Sequence, residues 1–201
     1  MTRKLVLGDI ADLRAYERER DEFRRRVITL KKIRRVSIGP FVTLLFENRD
    51  TIRFQIQEMA RAEKLMSDAA IQTELDVYNP LIPEPGSLAA TLFIELTSKD
   101  DLMEWLPKLV GIEQAVELRL GDPTSGDLKT VGARPDRQHQ KQLTRETITA
   151  SVHYIHFDLT AEEIDWFASG SVGVAITQPN YSYTVQLDEA SRNALLSDLK
   201  P

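Results

Sequence analysis

Phe41-Val-Thr-Leu-Leu-Phe46-Glu47-Asn48-Arg49-Asp50-Thr-Ile52-Arg53-Phe-Gln55-Ile56-Gln57-Glu58-Met-Ala-Arg-Ala-Glu-Lys64 is the stretch on which the reading of the fold turns. An apolar run meets the polar tetrad 47–50, an alternating segment follows, and a helical pattern takes over beyond Gln57. Asn and Asp tolerate turn dihedrals and bond their own backbone, so the tetrad reads as the turn of a hairpin. On the second strand of that hairpin Ile52, Phe54 and Ile56 face a core. Arg53, Gln55 and Gln57 face the other way, because side chains alternate along a strand.

Upstream of this stretch the sequence predicts a long first helix, capped by Asp9 and running to about Lys32. Its apolar seam is Ile10, Leu13, Tyr16, Phe23, Val27 and Leu30, interrupted by Arg20. Two readings of the seam stand open: a helix lying across its own domain, and a helix that pairs with a protein partner or its own copy. Between Arg14 and Arg35 there are ten basic and four acidic side chains, a surplus of six. The whole chain carries −5, so the remainder carries −11. The acidic total argues against a nucleic-acid binder, while the local surplus fits a contact surface for an acidic partner. Interleaved Glu and Asp also allow i,i+4 pairs along the helix itself.

Downstream, Ser67 caps a helix reaching Tyr78, and three prolines between Pro80 and Pro85 enforce a stiff connector. A strand at 88–96 and a helix from Lys99 to about Val110 capped by Ser98 come next, with Pro107 set to kink or shorten that helix. Short strands at 116–120 and 129–133 flank turn-rich sequence, and a long strand spans 147–159. Thr160 and Glu163 form a capping box for a helix that stops at Gly170. Strands at 172–176 and 181–187 precede a terminal helix capped by Asp188 and ending near Leu199. The fold class is α+β: one domain with a mostly antiparallel sheet, helices packed on one face, and the basic helix of residues 1–35 joined to a core of 36–201.

Composition removes several chemistries. With 201 residues and 42% apolar content the chain can bury a core without staples. It has no cysteine, which excludes disulfides, thiolate-held clusters, a Cys nucleophile and sulfur-dependent zinc sites. The start lacks the apolar core of a signal peptide and no apolar run reaches membrane-spanning length, so the expected location is the cytoplasm, with no membrane partner. No nucleophile elbow, phosphate loop or dinucleotide fingerprint is present, and no cofactor is expected. Whether the chain is an enzyme stays open.

His153 and His156 fall on opposite faces of a regular strand and cannot share an ion there, and His139 sits in Gln-rich loop sequence. Ile148, Ala150, Val152 and Tyr154 read as the core face of the 147–159 strand. Thr149, Ser151 and His153 then lie on its wet face. A neighbouring polar face of Arg53 and Gln55, with Glu47, Asp50 and Glu58 at its rim, would complete a candidate site for a small ligand, or for a metal on His153 and carboxylates. The alternative is an ordinary antiparallel sheet with one wet face and a turn tied by Arg49 and Arg53.

Phe46–Met59, the Tyr-Asn-Pro-Leu-Ile-Pro segment at 78–83, Leu143–Thr147 and Ser151–Tyr154 together resemble a bacterial family known only as a domain of unknown function. The resemblance covers nearly the whole chain and carries over no activity, cofactor or catalytic residue. It implies an association with peroxide or redox metabolism. Genes of the family often stand beside those for a rubrerythrin-like di-iron protein and a heterodisulfide-reductase-like iron–sulfur oxidoreductase. The functional expectation is an accessory or binding protein of such a pathway. The alternative is a ligand- or metal-binding enzyme or sensor centred on His153 and residues 47–58.

Overall fold

The computed structural model describes residues 4–122, 126–136 and 147–200. Helix α1 spans Leu13–Arg34, and its N-cap is Asp12, whose carboxylate accepts the Ala15 N–H at 2.8 Å. Asp9 instead lies in a 3-10 turn, Leu7–Asp9, where it accepts the Val6 N–H and pairs with Arg49. The helix therefore starts later than its sequence suggests.

The hairpin expected across residues 47–50 is not formed. Strand β2, Val42–Phe46, runs directly into helix α2, Arg49–Glu63, with Asn48 as its cap. Asn48 accepts the Thr51 N–H at 3.0 Å and donates its own N–H to the Thr51 hydroxyl at 2.9 Å. Ile52, Ile56 and Ala60 recur every fourth residue and are buried together, so the same residues satisfy helical and alternating periods within a short window. The surrounding Gln, Glu, Met, Ala and Arg are good helix formers, and they decide it.

The hairpin lies one strand earlier. Strand β1, Arg35–Ile38, pairs antiparallel with β2 across Gly39-Pro40. Gly39 has φ +73°, and a Cβ there would fall 2.6 Å from the Tyr181 hydroxyl. That hydroxyl donates to the Ile38 carbonyl at 2.6 Å and accepts the Val42 N–H at 3.1 Å, so only glycine fits beneath it.

Helix α3 follows at Asp68–Tyr78, then strand β3 at Ser87–Ile94 and helix α4 at Lys99–Lys108, which Pro107 brings to its end. Strands β4 (Val116–Leu120), β5 (Lys129–Gly132), β6 (Arg134–Pro135) and β7 (Val152–Asp158) come next. Helix α5 (Ala161–Ser169), strands β8 (Val172–Gln178) and β9 (Tyr181–Gln186), and helix α6 (Glu189–Leu199) complete the described order. The Thr160/Glu163 capping box and the Asp188 cap form as the sequence predicts.

The architecture is α+β with antiparallel pairing throughout, but the strands divide between two sheets. One has the order β1-β2-β3-β7-β6 and the other β5-β4-β8-β9. Their facing sides share one core, with Leu44, Leu92 and Phe157 from the first sheet and Leu118, Val174 and Ile176 from the second. Phe167 of α5 and Leu195 of α6 join that core. Helices α1, α2 and α3 pack together, with Ile52, Ile56 and Leu75 in a second cluster that Tyr154 of β7 joins from the first sheet.

The faces of β7 are the reverse of those expected. His153, Ile155 and Phe157 are buried on the side of the shared core, and Tyr154 points to the helices. Both sides of this strand are covered, so polarity alone could not fix its phase, and a one-residue error exchanges every side chain. Thr147–Ser151, expected as strand, precede β7 as irregular chain with a turn at Thr147, an isolated bridge at Ile148 and a bend at Ser151. His139 lies outside the described residues.

Candidate functional site

The polar residues that sequence reading placed on a hairpin face are spread around α2, and most of them hold α1. Glu58 receives a two-pronged bond from Arg20, Nε to Oε1 and Nη2 to Oε2, both at 2.8 Å, and the Tyr16 hydroxyl donates to Oε1 at 2.7 Å. Arg20, which interrupts the apolar seam, is thus the residue that locks it. Arg53 donates to the Asp9 carbonyl and to Glu19, with its guanidinium 4.8 Å above the Phe23 ring. Gln57 is fully buried; it accepts the Ala11 N–H at 2.7 Å and donates to the Ala11 carbonyl at 3.2 Å. Tyr16, Phe23 and Val27 fill the apolar contact, with Phe23 edge-on to Phe54 of α2.

Bonding by Arg20 is the largest influence on Glu58 and holds its carboxyl below the usual carboxylate range, against the opposing effect of burial. A depressed folded-state value means that this contribution to stability is complete above the unfolded value of 4.5 and is lost as pH falls through the lower folded value. Thermal melts of wild type and Glu58→Gln should therefore differ at neutral pH and converge in acid. A gap that persists or widens as Glu58 protonates would contradict the pairing.

Glu47, Asp50 and Gln55 go elsewhere. Glu47 is buried and accepts two short hydroxyl bonds, from Thr51 at 2.5 Å and from Thr91 of β3 at 2.6 Å. It fastens the start of α2 to the sheet, where the helix dipole favours a carboxylate. Gln55 is half-buried on α2, and the late strand meets this stretch through Tyr154, packed with Ile52 and Ile56, rather than through His153. Asp50 is exposed in the first turn of α2.

His153 is only 2% exposed, and its Nε2–H donates to the Ala150 carbonyl at 2.9 Å, with the Thr149 hydroxyl equally close. Burial lowers its pKa, opposed by nearby Glu113. It shares no surface with Arg53 or Glu58. Among the described residues no group of three or more His, Asp or Glu is placed to hold a metal ion.

The opposite side of α1 emerges as a surface of its own. Arg14, Arg18, Arg25 and Lys32 are all exposed. At 100° per residue they fall on one line along the helix, about 27 Å from first to last. Glu17 and Glu19 reach across to Arg61 and Arg53 of α2, while Asp21 and Glu22, the acids three and four residues from Arg18 and Arg25, stay exposed. Among the described residues no ion pair involves Arg14, Arg18, Arg24, Arg25 or Lys32; Arg25 bonds the Asp21 carbonyl. Asp21, Glu22 and the apolar Ile28 and Ile33 border the row.

Two of the concavities among the described residues bear on binding. A groove of about 350 Å³ lies where the start of α1 meets the end of α2 and the start of α3. A cleft of about 510 Å³ lies between the proline-rich connector and the end of β7. In the cleft His156 Nε2 stands 3.5 Å from Asp136 Oδ2, Arg134 pairs with Asp158, and Lys4 pairs with Glu84. Burial, with Arg134 adding to it, lowers the His156 pKa. Sequence reading set His156 on the face opposite His153 and missed Asp136, because the pair forms only across the β6–β7 ladder.

Residues 4–199 match a family described as a protein of unknown function, DUF3501. The chain belongs to that family. It is also similar to a crystal structure of a novel protein of unknown function from Burkholderia pseudomallei, at 35% identity and a TM-score of 0.87. That likeness covers 98% of this chain and all of the other. No curated protein matches. Membership agrees with the resemblance carried by residues 46–59, 78–83 and 151–154, and it assigns no activity. Among the described residues no helix of this family member is long and apolar enough to cross a membrane.

Proposed function

We propose that the chain is a non-catalytic binding protein that docks an acidic protein along the outward row of α1. The observation that carries the reading is the exposed line of Arg14, Arg18, Arg25 and Lys32, none of which is in an ion pair among the described residues, while Glu17 and Glu19 of the same helix pair with α2. Like-charged rows on two copies repel, so this face suits a foreign acidic surface better than self-pairing. Interleaved Asp21 and Glu22, the exposed Ile28 and Ile33, and a net charge of −5 favour protein over nucleic acid. The association with redox or oxidative-stress metabolism rests on the family resemblance alone.

Reversing the row with Arg14→Glu, Arg18→Glu, Arg25→Glu and Lys32→Glu should leave the melting curve near that of wild type, because these side chains touch no core. Co-purification from the native host should then lose an acidic protein that wild type retains. About 1 M salt, where screening acts over about 3 Å, should remove it from wild type as well. An unchanged set of co-purifying proteins would refute the reading.

A second reading, a small-ligand site, is favoured by the His156–Asp136 pair lining an open cleft. This moves its centre from His153 to His156. Such a site predicts that at least one compound in a metabolite panel raises the melting temperature of wild type and not of His156→Gln. Equal shifts in both proteins, or none, would remove it.

A further inference from the structure

We infer that the groove at the N-terminal end of α1 receives a large apolar side chain of the same acidic partner, anchoring the segment whose acids follow the basic row. This rests on the reading above and adds to it the partner's second chemical requirement. The groove is lined by Leu7, Ile10, Leu13, Leu65, Met66 and Ile71, a mostly apolar set. Two of these face solvent, Leu7 at 37% and Met66 at 88% exposure, although their chemistry favours burial. Lys64 at the C-cap of α2 adopts φ 55°, ψ 44°, a left-handed conformation from which the chain turns into Leu65-Met66. Met66 is a flexible thioether able to close over differing apolar shapes.

Charge gives the groove its occupant. Arg14 lines the groove and is also the first member of the row, so the apolar and basic surfaces are continuous. Arg18, Arg25 and Lys32 follow at about 6, 16 and 27 Å along the helix axis. Asp12 and Asp68 line the groove too; Asp12 is occupied in capping α1, and Asp68 lies in the first turn of α3. A segment that fits both surfaces carries one large apolar residue at one end and acidic residues at helical spacing beyond it. The volume, about 350 Å³, falls within the range of small binding sites, about 300–1,000 Å³.

The test uses the full chain and three fluorescent synthetic helical peptides read by anisotropy. One has a Phe anchor and a Glu row, one an Ala in place of the anchor, and one the anchor with Gln replacing Glu. The anchored acidic peptide should bind about tenfold or more tighter than the anchorless one. Met66→Asn should erase that advantage while leaving the anchorless peptide unchanged, and Arg25→Glu should weaken both acidic peptides. An anchor that adds nothing, or an advantage that survives Met66→Asn, overturns the groove. Should the anchorless acidic peptide still bind and respond to Arg25→Glu, the row stands and only the groove fails. Failure of every acidic peptide, or tighter binding by a single-stranded oligonucleotide, overturns both.

Discussion

Replacing Phe23 with alanine should lower the unfolding free energy by about 3–5 kcal/mol, the usual cost of truncating a buried aromatic side chain and leaving its cavity. Phe23 is 2% exposed and sits at the centre of the α1–α2 contact. Its ring is edge-on to Tyr16 and Phe54, and the Arg53 and Arg26 guanidinium groups lie about it at 4.8 and 5.1 Å. The apolar contact and two cation–ring contacts are lost together. Urea titration measures the difference, and hydrogen exchange should show faster exchange in α1 than in β3 or β8. A loss below about 1 kcal/mol would mean that α1 is not held by this face.

The second large effect lies at the other end of the helix. Asp198→Ala should cost about 3–5 kcal/mol, because it strands a buried guanidinium. Arg34 is 3% exposed, and it bonds Asp198 through Nη1 at 2.7 Å and Nη2 at 3.1 Å. Its Nε is already buried without a hydrogen-bond partner, so the carboxylate is the principal compensation for the charge. The pair joins residues 164 apart in sequence, linking the first long helix to the last. Replacing both members, Arg34→Met with Asp198→Leu, should recover most of the loss, since no charge is then left buried. If the double variant is as unstable as the sum of the two single changes, the pair acts independently and this account of it is wrong.

Much of the element order was legible because caps are local. Ser67, Ser98, Thr160 and Asp188 each begin a helix by a bond within three residues, which a sequence displays directly. The failures lie where two periods coincide. Ile52 and Ile56 serve a strand and a helix equally, and it is the helix formers around them, with the Asn48–Thr51 box at the start, that separate the two. On β7 both faces are covered, so the burial of His153 carries no periodic signal. The late strand meets this stretch through Tyr154, packed with Ile52 and Ile56, and not through His153, which lies buried on the other side of β7. The role of Arg20 was out of reach for another reason: an arginine breaking an apolar seam gives no hint that Glu58, far along the chain, receives it. The basic surplus of α1 was visible at once. That Glu17 and Glu19 would turn inward to α2 follows only from the packing of the two helices.

The central claim is that α1 has two occupations, with one face docked on α2 and the other offered to an acidic protein. Photo-crosslinking in the native host, with the reactive side chain placed in turn at positions 25 and 27, tests it most directly. From position 25 the account predicts adducts with an acidic protein, and from position 27 only links within the chain. Intermolecular adducts from position 27, or none from position 25 above a control at position 99, would contradict it.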